Sequence, residues 1–597
     1  MGERHEGEAV LAIELGRAVT RAGLFEAGPD GWKLTATGSA PTTSQAPWRD
    51  AGLGIQSALA DLTVGLGRPL TGRERVVACT RASGGLRAAV AGVIRTMTAE
   101  SAWRAALNAG AEVVDVFSLD DRRLPVQQAM DFRRSSIDLL LLAGGVDEDL
   151  FAYGRGHQVV TEAGTLAGAL PPSRLRPGAP LPVVFAGSAE ARDLVAEAFK
   201  GRPAAFTLTE NVRPDLDREV LEPAGRTLVD LYRGELLESS VFRGLAALNP
   251  APLVPTGLAV GQAVKSFALA HGHDSTPANV LAVDIGAAGV DVHLVMSGTY
   301  TRSSTRGTRP QNEATLAARV ARWLPYAVDP AKVLDHVAGR RAHPAAVAET
   351  WPELLMDLAE GREAMAVALE AHKQVAVTLR GMPRRRTIGE ALGRYLSVGG
   401  QTLVDLSKID HVIGTGGPLA ASPQAAMLAL IDGLQPAGIT RLSLDADGSW
   451  PWRGLLGLAG LDGQGVTPLA LGTCVAPPAT AGRSREGRVL AEVEVRQGVW
   501  SSTVALVAGE LRAVRPPKAG AATVIIRPKG MADYGAGPAR AVQAEVEAGR
   551  FGVILDGRGR PIVMPTNEAR RQARAREWMK GIGDWPAAAV AGGGEAR

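Results

Sequence analysis

The chain has 597 residues and a formal net charge of +3, from 65 basic and 62 acidic side chains. That length predicts about three or four domains, and 46% hydrophobic with 21% charged residues excludes disorder as the main state. The near balance of charge excludes a general electrostatic nucleic-acid binder, and two cysteines, Cys79 and Cys474, exclude a disulfide scaffold or a cysteine-built zinc site.

The N-terminal stretch, MGERHEGEAV, is charged and reads as no signal peptide. Val10 to Ile13 is a short apolar strand, followed by Gly16 and a returning run, Thr20 to Phe25. Ala51 to Leu66 reads as a helix, Arg75 to Cys79 as a buried strand, and Leu86 to Ala109 as mostly helical. Glu112 to Phe117 is a strand, Gln127 to Arg134 a short helix, and Ile137 to Leu142 a strand ending in Gly144-Gly145. Leu139 to Ala143 is far short of the roughly 20 apolar residues a membrane span needs, so no span is expected. Val183 to Phe185 and the helix Ala189 to Phe199 continue the strand–helix alternation, which predicts α/β architecture with partly parallel sheets. The proline-rich stretch Asn249 to Pro255 reads as a lobe boundary, and a helix, Leu258 to His271, follows it.

A second strand–glycine–strand unit spans Asp284 to Val295, and Ala314 to Leu406 is dominated by helical patterns. His411 to Ile413 is a buried strand closed by Gly414-Thr415-Gly416-Gly417, with a helix from Pro423 to Leu434 and a small apolar stretch, Arg453 to Gly460. After about Gly465 short β runs are punctuated by glycine and proline, which predicts a separate all-β module with a hairpin turn at Arg558-Gly559. A basic helix, Asn567 to Lys580, and a glycine-rich tail end the chain. The widely separated cysteines fit a reduced, cytoplasmic compartment.

Two units carry the chemistry. Ile13-Glu14-Leu15-Gly16 and Val283-Asp284-Ile285-Gly286 each end a strand in an acid, then turn on glycine into a returning strand. Glycine lets backbone N–H groups approach phosphate oxygens with no Cβ in the way. A carboxylate beside such a turn can hold Mg²⁺ through water. The Gly414-Thr415-Gly416-Gly417 turn can pack against an adenine or ribose. Each turn alone also fits an ordinary hairpin. His293, one residue beyond Asp291 on the same strand face, reads as a core histidine bonded to a neighbour, and Arg384-Arg385-Arg386 as solvated surface.

In this order and spacing the three elements resemble the actin/Hsp70/sugar-kinase ATPase superfamily. Further segments sharpen the likeness: Ile137 to Gly145 with Asp147, Val184-Phe185-Ala186-Gly187, Glu210-Asn211-Val212-Arg213-Pro214, Glu222-Pro223-Ala224 and Val412 to Leu419. Together they resemble the MutL/GlmL family, the glutamate-mutase-associated proteins, which are distinct from mismatch-repair MutL. The resemblance covers roughly residues 8–460. It implies a two-lobed actin-like ATPase fold with ribonuclease-H-like lobes and a C-terminal β-rich module. The implied boundaries are 8–255 for the first lobe, 256–464 for the second with a helical insertion, 465–566 for the module, and 567–597 for the basic helix and flexible tail.

The resemblance further implies ATP and Mg²⁺ as cofactors and a chaperone-like accessory role for an adenosylcobalamin-dependent mutase, whose subunit would be the partner. It places Gly16 and Thr20 at a first phosphate loop, Gly286 and Ala287 at a second, and Gly414, Thr415, Gly416 and Gly417 at the nucleoside. Glu14 and Asp284 become metal-facing acids, with Asp284 also the catalytic one. Glu14 stands where relatives carry aspartate, and the second loop has no hydroxyl, so a weak ATPase is expected. A non-hydrolysing actin-like scaffold that holds nucleotide structurally, or not at all, is the alternative. A homodimer is left open, and a small-molecule kinase would need a base that cannot be assigned.

Overall fold

The structure, a computed structural model, describes residues 8–29, 31–147, 156–287, 289–305, 313–380, 400–461, 467–477 and 486–592. Arg384-Arg385-Arg386 lies outside them. No helix among the described residues is long and apolar enough to cross a membrane.

The first sheet has five strands in the order Leu253–Pro255, Arg75–Thr80, Ala9–Leu15, Val19–Gly28, Gly31–Pro41. Ala9–Leu15 runs antiparallel to Val19–Gly28 and parallel to Arg75–Thr80. As the central strand it is apolar on both faces: Leu11, Ile13 and Leu15 enter one core, Val10 and Ala12 another. The second sheet begins the same way, in the order Thr299–Thr305, Gly289–Met296, Val280–Gly286, His411–Thr415, Gly438–Leu444. Its central strand is again antiparallel to the next strand in sequence and parallel to the crossover strand. Two sheets of matching order and direction are the two ribonuclease-H-like lobes of an actin-like fold.

Residues 87–208 carry a sheet of their own, all parallel, in the order Glu112–Ser118, Arg87–Gly92, Leu139–Leu142, Leu181–Phe185, Ala204–Leu208. It is inserted between two strands of the first lobe. Leu139 and Leu141 join the first-lobe core, and Leu140 and Leu142 face the insertion's own core. The expected helix over Leu86 to Ala109 is therefore a strand, Arg87–Gly92, and then a helix, Thr98–Asn108. Alanine favours a helix in isolation. Here Ala88, Ala89 and Ala91 are fully buried at the middle of a sheet, where small side chains let the covering helices approach.

The second sheet does not stop at residue 464. Leu469–Ala476 pairs antiparallel with Gly438–Leu444, and Val553–Asp556 and Leu511–Val514 extend the same sheet. Among the described residues, the strands Trp500–Val507, Val489–Gln497, Gly520–Pro528 and Val542–Ala548 form a separate antiparallel sheet. The hairpin expected at Arg558-Gly559 does not form. Arg558 is instead buried against Asp556 and Asp432, whose other oxygen takes Arg362 Nε at 2.8 Å. The basic helix Glu568–Ile582 packs Trp578, Met579 and Ile582 into the second-lobe core. A short helix, Ala587–Ala591, buries Ala588 and Ala589.

Helix Trp450–Leu458 ties the lobes together. Trp452 enters a first-lobe core with Phe25 and Leu455, and Trp450 a second-lobe core with Val280 and Ile413.

Candidate functional site

The first hairpin turns at Gly16, where a Cβ would sit 2.6 Å from the Val19 carbonyl oxygen, so the turn requires glycine. Glu14 lies directly across from Arg21, which donates to Glu14 Oε2 through Nε at 2.9 Å and also through Nη2. Thr20 is buried; its hydroxyl meets Thr42 Oγ1 at 2.9 Å, and Thr42 Oγ1 donates to the Gly16 carbonyl. Thr20 thus braces the turn from inside.

In the second hairpin Asp284 lies across from Asp291 and Gly286 across from Gly289, with Ala287 exposed at the tip. A Cβ on Gly286 would meet nothing nearer than Arg81 Nη1 at 3.8 Å. The third turn is pressed against this hairpin. Gly416 has φ +107°, and a Cβ there would collide with the Ile285 carbonyl oxygen. Gly414 backs onto Leu419 and Leu430, and buried Thr415 donates to Asp445 Oδ2 at 2.6 Å. A Cβ on Gly417 would meet nothing within 4 Å. Among the described residues, only Arg81 comes near a Cβ on Gly286 and none comes within 4 Å of one on Gly417.

Arg81 stands between the lobes. Its backbone N–H donates to the Leu15 carbonyl at 2.8 Å, which fixes it beside the first turn. Its Nη1 reaches Asp284 Oδ2 at 3.3 Å, and its Nη2 bonds Asp291. Asp291 also takes Arg302 Nη2 at 2.7 Å, and Arg302 Nη1 donates to the carbonyls of Leu107 at 2.8 Å and Ala111 at 3.0 Å. These two carbonyls lie at the C-terminal end of the insertion helix Thr98–Asn108.

The carboxyl groups diverge according to their partners. Burial pushes Asp284 up to about 6, with Arg81 opposing. Burial would also raise Asp291, but Arg302 and Arg81 outweigh it and hold this carboxyl well below the usual range. Asp445 is pushed up to about 7 by burial, against the Thr415 hydrogen bond and with Asp447 adding to the rise. Burial holds His293 down to about 3, and its Nδ1 lies 2.9 Å from Tyr300 Oη, so it is a neutral core histidine.

The expected site residues thus divide by burial. Glu14, Gly16, Asp284 and Gly286 are half-buried and Ala287 is exposed, whereas Thr20, Gly414 and Thr415 are buried in packing. The acids are not arranged as a metal cage. Glu14 is held in a two-nitrogen grip by Arg21, Asp284 is paired with Arg81, and no group of three metal-ligating side chains occurs among the described residues. Mg²⁺ is held mainly by water and phosphate oxygens with one or two carboxylates, and here it would meet a guanidinium already bonded to each acid. Arg81, about 11% exposed, carries a charge-assisted contact that is long, 3.3 Å to Asp284. Sequence reasoning missed Arg81, Arg302 and Asp445. Arg81 was within reach, since it follows a buried parallel strand at its carboxyl end, the place where α/β sheets present ligand-binding groups.

Comparison with known proteins adds the following. A family profile described as MutL protein matches residues 10–459. Protein MutL of Clostridium tetanomorphum is 28% identical over 441 residues, spanning 70% of this chain and 87% of the relative. Among solved structures, a glycerol dehydratase reactivase aligns with TM-score 0.26 and 12% identity, over 71% of this chain and 94% of that one. A diol dehydratase-reactivating factor in nucleotide free form aligns with TM-score 0.26 and 12% identity, over 76% and 99% respectively.

Proposed function

Because the chain belongs to the MutL protein family, we propose that it is a nucleotide-binding accessory protein of an adenosylcobalamin-dependent mutase, acting in its reactivation or assembly. The observation that supports the nucleotide half is the juxtaposition of three glycine turns. The three turns are brought together: Arg81 bonds the Leu15 carbonyl beside the first turn and Asp284 beside the second, and Gly416 of the third packs on Ile285. Phosphates would lie against the turns at Gly16 and Gly286, and the nucleoside beside Gly417. Occupancy would shift the balance of lobe orientations, to the extent that ligand binds one orientation better than the other. The mutase half rests on the family.

The non-hydrolysing reading is favoured by one observation: Glu14 and Asp284 are already engaged by arginines. Each guanidinium competes with a metal or water for its carboxylate, so turnover should be slow or absent. The test is calorimetric titration with ATP, then phosphate release on the same sample. Micromolar binding with turnover well below ~1 s⁻¹, the low end of ordinary enzymes, is expected. Absence of heat with both ATP and ADP would overturn the nucleotide reading, and turnover above that rate would restore the enzyme reading. Capture of the mutase subunit that changes with added ATP tests the partner.

A further inference from the structure

Beside Gly286 the nearest described atom to an added Cβ belongs to a cation, Arg81, whose Nη1 lies 3.8 Å away. Arg81 reaches the cleft from the first lobe and is anchored there by its own backbone. Of its two carboxylate partners, Asp291 is buried and shared with Arg302, so it stays neutralised if Arg81 shifts. Asp284 is the weaker partner, at 3.3 Å and with about 13% of its side chain exposed. A phosphate oxygen entering beside Gly286 would compete with Asp284 for Nη1 and leave Asp291 paired. Guanidinium is suited to this, because its planar fork meets phosphate with two parallel N–H donors and it never loses its charge.

We infer that the cleft binds nucleoside polyphosphate without a divalent metal, with Arg81 as the resident counter-cation in the place a metal would hold. The inference rests on the nucleotide reading above and goes beyond it by naming the charge partner and the ionic form of the ligand, the free polyphosphate rather than its magnesium chelate. It also reverses the role of Asp284. A metal-facing aspartate helps binding; an aspartate competing for Arg81 hinders it.

The experiment is titration of the full chain with ATP, in EDTA and in excess Mg²⁺, for the natural protein and for Asp284→Asn, Arg81→Lys and Arg81→Ala. Binding in EDTA should be at least as tight as in Mg²⁺. Asp284→Asn should tighten it by about threefold or more, by removing a competitor for a charge-assisted hydrogen bond. Arg81→Ala should weaken it by about tenfold or more, with Arg81→Lys between the two. If Arg81→Ala does not fold, the sign of the Asp284→Asn change and the Arg81→Lys value decide. Binding that appears only with Mg²⁺, or that Asp284→Asn abolishes, overturns the inference while leaving the nucleotide reading in place. Binding in neither buffer overturns both.

Discussion

A carboxyl group pushed up to about 7 inside a folded chain weakens that fold as pH rises. Asp445 is such a group, and Asp284, at about 6, is another. In the unfolded chain both ionise near the ordinary 3.8, so between there and their folded values the unfolded state loses protons first and stability falls with increasing pH. Asp291 and Asp556 act oppositely: they are held below the ordinary range, and their contribution is lost on acidification. Asp445→Asn mimics the protonated form and can still accept from the Ser449 N–H. It should raise stability at pH 8 by about 1–3 kcal/mol and change it little near pH 4. Thermal scans across that range check this, and a lower midpoint for the variant at pH 8 would refute it. At this scale the sequence displays what is local. Glu14 and Asp284 stand out because a strand, an acid and a glycine adjoin. Arg81 is invisible by the same logic, since its partners lie 203 and 210 residues away.

Between elements, one side chain links three parts of the molecule. Arg302, on a second-lobe strand, pairs with Asp291 and donates to the carbonyls of Leu107, in the last turn of the insertion helix Thr98–Asn108, and Ala111, just after it. Late carbonyls of a helix lack intrahelical donors, and a buried arginine supplies them. Arg302→Leu removes a donor from the Leu107 and Ala111 carbonyls and leaves buried Asp291 with Arg81 as its remaining arginine, and should cost about 3–5 kcal/mol. Denaturant titration would show the loss, and faster amide exchange over residues 98–111 would distinguish it from general loosening. Gly416→Ala should be similarly damaging, because its φ of +107° suits glycine and the added methyl meets the Ile285 carbonyl. A fall in midpoint of less than 1 °C would count against that close approach. The sequence was read well where an element is polar on one side, such as the β runs after residue 486, and misread where burial overrides propensity. Arg87–Gly92 is alanine-rich because it is crowded, and Arg558-Gly559 resembles a turn only until Asp432, 126 residues earlier, claims the guanidinium.

For the whole molecule, the ladder at Gly438–Leu444 decides where the chain can be cut. Removing residues 465–597 would strip its partner Leu469–Ala476, open a sheet edge and uncover the core that Trp578 and Ile582 seal. Such a truncation should aggregate on size-exclusion chromatography, and a monodisperse fragment would show that the second lobe closes without its C-terminal strands. The doubling of strand–acid–glycine units announced the two lobes in the sequence. The inserted parallel sheet was not announced, because its strands read individually like those of the lobe around it. Finally, Trp450 and Trp452 are separated by one proline on a single helix, yet each indole is sunk in the core of a different lobe. Any rotation of one lobe against the other must shear the surroundings of at least one of them. The molecule therefore carries its own optical gauge of closure: ATP should change intrinsic tryptophan emission, and Trp450→Phe and Trp452→Phe would report which lobe moves past the helix.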